Sequence, residues 1–259
     1  MNKTKIIAVT NSKGGTGKTT LSINIAGTLA ELNQKVLLID LDAQGNLSSF
    51  FIENIYNLQY TIRDLILSEL ESSKAIIKTE FEDIDIIPSN LTLADLDSKL
   101  AGVDDAQFLL QEAIKDSVDK YDYIIIDCPP SLSRATKMAL VAATDFIVPI
   151  EAQQWSIIGA EQLFAFVESI KKRANPNLNF IGFVLNKLTG RRKIETEYCE
   201  ILQQRYPGKV INTVIKNMVA FSEAVSAGQP INFYASKSVE AETMRNLVKE
   251  ILNHGKEII

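Results

Sequence analysis

Ile6-Ile7-Ala8-Val9 runs into Ser12-Lys13-Gly14-Gly15-Thr16-Gly17-Lys18-Thr19-Thr20, and a helix-like stretch, 21–34, follows at once. An apolar strand entering a glycine-rich loop that opens a helix is a phosphate-binding arrangement. The glycines let the backbone curl so that successive N–H groups converge on one anion, and the helix N-terminus adds partial positive charge. Lys18 is spaced to reach the β- and γ-phosphates, and the Thr19 hydroxyl to ligate Mg²⁺. Gly14, Gly15, Thr16, Gly17 and Thr20 complete the loop. The general pattern of Gly, four residues and Gly-Lys-Ser/Thr is met except at its first position, where Ser12 stands. The reading is a nucleoside triphosphatase, or a protein switched by a triphosphate.

Working outward, short apolar runs alternate with helical patterns. The expected strands are 6–9, 36–40, 84–87, 123–127, 146–150, 180–185 and 210–215. The expected helices include 91–100, 106–118, 157–173 and 194–206. Continuous apolar strands are buried on both faces, and alternation with helices gives right-handed crossovers. The expected fold is α/β: a single P-loop NTPase domain over 1–259, with a mainly parallel twisted sheet flanked by helices on both faces. Ligands in such sheets bind at the carboxyl ends of the strands.

The chain has 259 residues, 46% of them hydrophobic, which is enough for one sizeable core. No repeat, low-complexity tract or linker divides it. No apolar stretch approaches the ~20 residues that span a bilayer. Two cysteines, Cys128 and Cys199, lie far apart and form no metal or redox pair. Cysteine usage fits a reducing cytoplasm. A net charge of −5 argues against a chain coated with basic charge, while leaving room for a local basic patch.

Three further strand ends carry chemistry. Val36-Leu37-Leu38-Ile39-Asp40-Leu41-Asp42 delivers two carboxylates to one edge, one suited to a metal-bound water and one to the attacking water. Tyr123-Ile124-Ile125-Ile126-Asp127-Cys128-Pro129-Pro130 places Asp127 where it reaches Mg²⁺ through a water, and the two prolines stiffen the exit. Asn186, ending Gly182-Phe183-Val184-Leu185, either caps a strand end or reads a base edge by donor–acceptor pairing. Arg191-Arg192-Lys193 puts three positive charges at a helix start, against the dipole preference. Such a cluster serves non-specific phosphate contact or is simply solvated.

Lys13-Gly14-Gly15-Thr16-Gly17-Lys18-Thr19-Thr20 resembles the deviant Walker A motif of the ParA/MinD family of ATPases. Asp40-Leu41-Asp42-Ala43-Gln44-Gly45-Asn46 resembles that family's switch I, with Ala43 for the usual proline, and Asp127-Cys128-Pro129-Pro130-Ser131 its switch II. The resemblance runs from about residue 5 to 252. It implies slow Mg²⁺-dependent ATP hydrolysis, raised by a partner, and a homodimer in the ATP state with Lys13 reaching the partner's nucleotide. Lys13, Lys18 and Asp42 are then catalytic. Residues 13–20, Pro130 and Asn186 bind nucleotide. Thr19 holds the metal, with Asp127 behind a water and Asp42 nearby.

The stretch from Thr189 resembles a family region whose arginine, here Arg191, helps bind DNA. Arg192, Lys193 and Lys216 join it as expected DNA contacts. Phe221-Ser222-Glu223-Ala224 and Gly228-Gln229-Pro230-Ile231 also match. Lys216-Asn217-Met218 replaces the family's Pro-Arg-Asn, however, and Ala220 replaces a later arginine. The ParA-type branch implies ATP-dependent, non-specific DNA binding, release by a ParB-like or other cargo-bound partner, and segregation of plasmid or chromosome DNA. The expected location is cytoplasmic and nucleoid-associated. The chain opens at its first strand, so no N-terminal helix-turn-helix extension is expected.

Alternatives are a MinD-like membrane-positioning ATPase and a ParA-like ATPase that positions a protein cargo. The final helix, with Leu247, Val248, Ile251 and Leu252 on one stripe and mixed charges elsewhere, reads as core-packing rather than as a membrane anchor. An iron–sulfur role is disfavoured because Cys128 adjoins Asp127 and Cys199 lies within a helix.

Overall fold

The structure is a computed structural model that describes residues 4–68, 70–152, 156–189 and 193–254, with backbone alone at 156–157 and 193–194. Among these residues seven strands form one sheet. They are β1 (Lys5–Val9), β2 (Val36–Asp40), β3 (Ile77–Lys78), β4 (Ile84–Ile87), β5 (Tyr123–Asp127), β6 (Asp145–Ile150) and β7 (Asn179–Leu185), in the order β3-β4-β2-β5-β1-β6-β7. Every pairing is parallel except that of β3, a two-residue edge strand outside the expected set.

Helices α1 (Lys18–Glu31), α2 (Asn46–Phe51), α3 (Ile62–Leu67), α4 (Leu96–Lys99), α5 (Leu109–Ile114), α6 (Arg134–Ala142), α7 (Ser156–Arg173), α8 (Lys193–Arg205), α9 (Val219–Ser226), α10 (Ile231–Tyr234) and α11 (Val239–Asn253) cover the two faces. The period-2 geometry of the strands divides the core. Ile6 and Ala8 of β1 pack into one apolar cluster with α3 to α8, while Ile7 and Val9 pack into a second with α1, α9, α10 and α11. A strand buried this way on both faces must be apolar at every position, which is why these strands read so plainly.

Two expectations are corrected. Residues 210–215 form no strand. The stretch meets β7 at one isolated bridge, Phe183 with Val210, and just past both segments a second joins Leu188 with Lys216. The amides of Asn212 and Thr213 instead donate to the Glu250 carboxylate of α11, each at 2.9 Å, and so are lost to a ladder. The patterns at 91–100 and 106–118 are not long helices. Each is a 3₁₀ turn leading into a short α-helix, α4 or α5. Asn90 starts the first by accepting from the Thr92 amide at 3.1 Å, which tightens that turn.

The last helix packs as its stripe predicts. Met244, Leu247, Val248 and Ile251 of α11 are each at most 2% exposed, and Leu252 is half-buried against the same cluster. Burial of each such side chain contributes roughly 1.5–3 kcal/mol. No helix among the described residues is long and apolar enough to cross a membrane. Helix α1 lies under α10 at unusually short range. A Cβ on Gly27 would stand 2.5 Å from the Pro230 Cβ, so only glycine lets the two backbones approach this closely. Thr28 then donates to Asn232 at 3.0 Å, and the Ile231 amide donates to Asn24 at 2.7 Å, fixing the seam with buried hydrogen bonds.

Candidate active site

All the chemistry-bearing strand ends converge on one edge of the sheet. Strand β1 lies between β5 and β6, so the glycine-rich loop leaves an interior strand of the sheet. Asn11 anchors its base. The Asn11 amide donates to the Pro149 carbonyl at 2.8 Å, and its side-chain oxygen accepts from the Lys13 N–H at 3.0 Å. Gly17, at φ +88°, turns the chain into α1. It has no room for a side chain, since a Cβ there would lie 2.3 Å from the Asn186 amide nitrogen.

Lys18 is buried, and its ammonium donates to the carbonyls of Asn11 and Lys13, each at 3.1 Å. Burial pulls its pKa below the usual lysine range, opposed first by the negative charge of Asp127. The ammonium therefore sits inside the loop, held by neutral acceptors that a phosphate can replace. The Lys13 side chain is half-buried at the loop's shoulder.

Thr19 and Asp127 meet directly: the hydroxyl donates to the carboxylate at 2.7 Å, and Ser22 donates to its other oxygen at 3.2 Å. Asp127 is 1% exposed, and burial, then the neighbouring Asp40, pushes its pKa up to about 8. A buried carboxylate beside a hydroxyl at a helix N-terminus fits Mg²⁺, which takes few protein ligands and completes its shell with waters and phosphate oxygens. Among the described residues no cluster of three acids, histidines or cysteines competes for it.

The two acids of Asp40-Leu41-Asp42 have different surroundings. Asp40 is fully buried. It accepts from the Asp42 N–H at 3.0 Å, and from the Ser48 amide and hydroxyl at 2.9 and 2.7 Å. It is a tie that shapes the loop and starts α2, even though burial raises its pKa to about 6. Asp42 is half-buried and accepts from the Gln44 N–H at 3.0 Å. It faces a cavity of about 300 Å³ shared with Ala43, Gln44, Pro129 and Pro130. Pro130 also borders the glycine loop, 3.8 Å from where a Gly14 Cβ would be.

On the other side of the loop, a cavity of about 350 Å³ is lined by Gly17, Thr20, Asn24, Asn186, Lys187 and Phe221, with exposed Lys216 on its wall. The Asn186 amide donates to the Thr16 carbonyl at 2.8 Å, and its oxygen accepts from the Lys187 N–H at 2.9 Å. Of the expected basic cluster, Arg191 and Arg192 lie outside the described residues, and Lys193 is the first residue of α8. Sequence reasoning passed over Ser22, Asn11 and Lys187. Only Lys187 carried a visible signal, a lysine two residues beyond a buried strand.

Comparison with known proteins agrees with this geometry. The family model described as "AAA domain" matches residues 4–180. The chain is 35% identical to the sporulation initiation inhibitor protein Soj of Bacillus subtilis (strain 168), over 97% of this chain and 99% of that one. It is 32% identical to the chromosome partitioning protein ParA of Myxococcus xanthus (strain DK1622), over 96% and 88%. Among solved structures, the cobyrinic acid a,c-diamide synthase of Mycobacterium smegmatis with bound ATP analogue and magnesium superposes with a TM-score of 0.86. It is 28% identical and covers 98% of this chain and 96% of that one. The chain belongs to the ParA/Soj-type partition ATPases of the deviant Walker A family.

Proposed function

We propose that this protein is a Mg²⁺-dependent ATPase of the partition type, which dimerises on ATP, binds DNA without sequence preference and is released when a cargo-bound, ParB-like partner stimulates hydrolysis. The observation that carries the reading is the meeting of Thr19 with Asp127 beside buried Lys18, at the mouth of a glycine loop. That set is what a nucleotide's β- and γ-phosphates require.

Residues 13–20 and Pro130 cradle the phosphates, and the cavity beside Asn186 takes the base. Mg²⁺, when bound through Thr19 and a water on Asp127, neutralises phosphate charge. Lys18 from the same chain and Lys13 from a second copy stabilise charge on the transferring group. Asp42 stands at the cavity where an attacking water is oriented. Among the described residues no strong base faces that cavity, so turnover without a partner is slow. Arg191, Arg192, Lys193 and Lys216 supply phosphate contacts to DNA. The protein acts in the cytoplasm, on the nucleoid, to segregate plasmid or chromosome DNA.

The test is binding of the Asp42→Ala protein to non-specific duplex DNA and to anionic liposomes, with ATP and with ADP, at two salt concentrations. DNA binding that needs ATP and weakens steeply with salt supports the proposal. Liposome binding without DNA binding assigns the chain to membrane positioning instead. The burial of the α11 stripe argues against that outcome.

A further inference from the structure

Lys187 stands out from its surroundings in its backbone and in its contacts. Its φ is +56°, the left-handed region. The other non-glycine residues there among those described are Asn33, Asp83 and Asp105, types whose short polar side chains tolerate it. A lysine has no such compensation, so its tertiary contacts hold it in place. Those contacts lead to the glycine loop: the ammonium donates to the Gly15 carbonyl and pairs with Glu151 at 3.3 Å. Glu151 and Asn186 directly follow the neighbouring strand ends of β6 and β7, where Ile150 and Leu185 are in register. Asn186, one residue earlier, holds the next carbonyl of the loop, that of Thr16.

Two successive residues leaving β7 thus grip two successive carbonyls of the phosphate loop. In a trans peptide the carbonyl and the following N–H point in opposite directions, and no cis bond interrupts the described residues. Fixing the Gly15 carbonyl fixes the Thr16 N–H, and fixing the Thr16 carbonyl fixes the Gly17 N–H, each turned away from β7. An anion site made of backbone donors depends on that orientation being set before the anion arrives.

We propose that Lys187, locked by Glu151, is a positioning residue that presets the phosphate loop through the Gly15 carbonyl and thereby sets affinity for nucleoside diphosphates and triphosphates alike. This rests on the nucleotide-site reading above. Lys187 acts through the loop, so its effect does not depend on a third phosphate.

The experiment measures dissociation constants for Mg²⁺–ATP and Mg²⁺–ADP by calorimetry, with melting temperatures, for the native chain, Lys187→Met and Lys187→Gly. Both variants are expected to bind both nucleotides about ten-fold more weakly, the scale of one charge-assisted hydrogen bond. Lys187→Gly, which suits the left-handed backbone, is expected to melt no lower than the native chain. Native affinity in Lys187→Met overturns the proposal. So does weakening confined to ATP, which would place the ammonium on the third phosphate. A Lys187→Gly protein that loses melting temperature together with affinity reduces Lys187 to a structural role. A native chain that binds neither nucleotide defeats the nucleotide-site reading itself, and the proposal with it.

Discussion

Asp40 and Asp127 sit opposite each other in register on β2 and β5, both buried, yet they have different partners. Asp40 is tied to Ser48 and to the backbone of its own loop, while Asp127 faces Thr19 and Ser22 of α1. One organises the loop that carries Asp42, and the other is placed for a cation. Two carboxylates on adjacent strands in a dry interior oppose each other's ionisation.

That has a consequence for stability. Burial raises the carboxyl of Asp40 to about 6 and, with repulsion from Asp40, that of Asp127 to about 8, against an ordinary value of 3.8. The folded state therefore holds these protons more tightly than the unfolded chain. The contribution to stability is full below about pH 4 and is lost as pH rises through 6 and then 8. The lowered acids, Glu31 and Asp95, act in the opposite sense but titrate below the ordinary carboxylate range. The ligand-free protein should thus melt at a lower temperature at pH 8.5 than at pH 5.5. Asp127→Asn should flatten the upper part of that slope. Melting curves across this range check it, and a native protein that gains stability with rising pH contradicts it.

The seam between α1 and α10 makes a second prediction. Gly27→Ala gains helix propensity, about 1 kcal/mol, but drives a Cβ to 2.5 Å from Pro230. Overpacking of this kind costs about 1–3 kcal/mol, so the net effect should be a destabilisation of up to about 2 kcal/mol. For a chain of this size that lowers the melting temperature by several degrees. A variant more stable than the native protein would mean that α10 moves away without penalty.

How much of this was legible in the sequence follows from where each signal is generated. Val36–Asp40 and Tyr123–Asp127 announce themselves because burial on both faces leaves no polar position until the strand ends. The phosphate loop is legible because its backbone geometry demands glycine at fixed spacing. The division of labour between Asp40 and Asp42 is not legible, because the Ser48 tie that distinguishes them forms only when α2 folds back onto β2. Nor is the failure of residues 210–215 to form a strand, since the competitor for their amides, Glu250, lies 37 positions beyond Thr213. The grip of Asn186 on Thr16 spans 170 positions and leaves no local trace.

The proposed DNA surface gives a third prediction. Arg191→Ala should lower affinity for non-specific duplex DNA in the ATP state and reduce the slope of log K against log salt by about 1 for each phosphate it no longer neutralises. Lys216→Ala should do the same if Lys216 reaches DNA. Lys216 also lines the cavity beside Asn186, so ATP affinity must be measured in parallel. A Lys216→Ala protein that loses nucleotide affinity with an unchanged salt slope assigns that lysine to the base cavity. Unchanged DNA binding in Arg191→Ala moves the DNA surface elsewhere.

Lys13 gives the last prediction. Its backbone is already committed to the loop: its N–H donates to Asn11, and its carbonyl accepts from Lys18 at 3.1 Å. If the side chain serves a second copy's nucleotide, Lys13→Ala should leave the fold and the affinity of the isolated chain for ADP close to native. Its effect should show only where a second copy's nucleotide needs a cation. A charge acting on a phosphoryl group in a water-excluded site is worth several kcal/mol in the transition state, a rate effect of about 10²-fold or more. The expected result is a protein that binds ADP and melts normally, stays monomeric with ATP by light scattering, and gains no ATPase activity when DNA and partner are added. If Lys13→Ala dimerises on ATP and is stimulated as the native protein is, catalysis across an interface is wrong for this chain. Lys18 would then carry the phosphoryl charge without a second lysine.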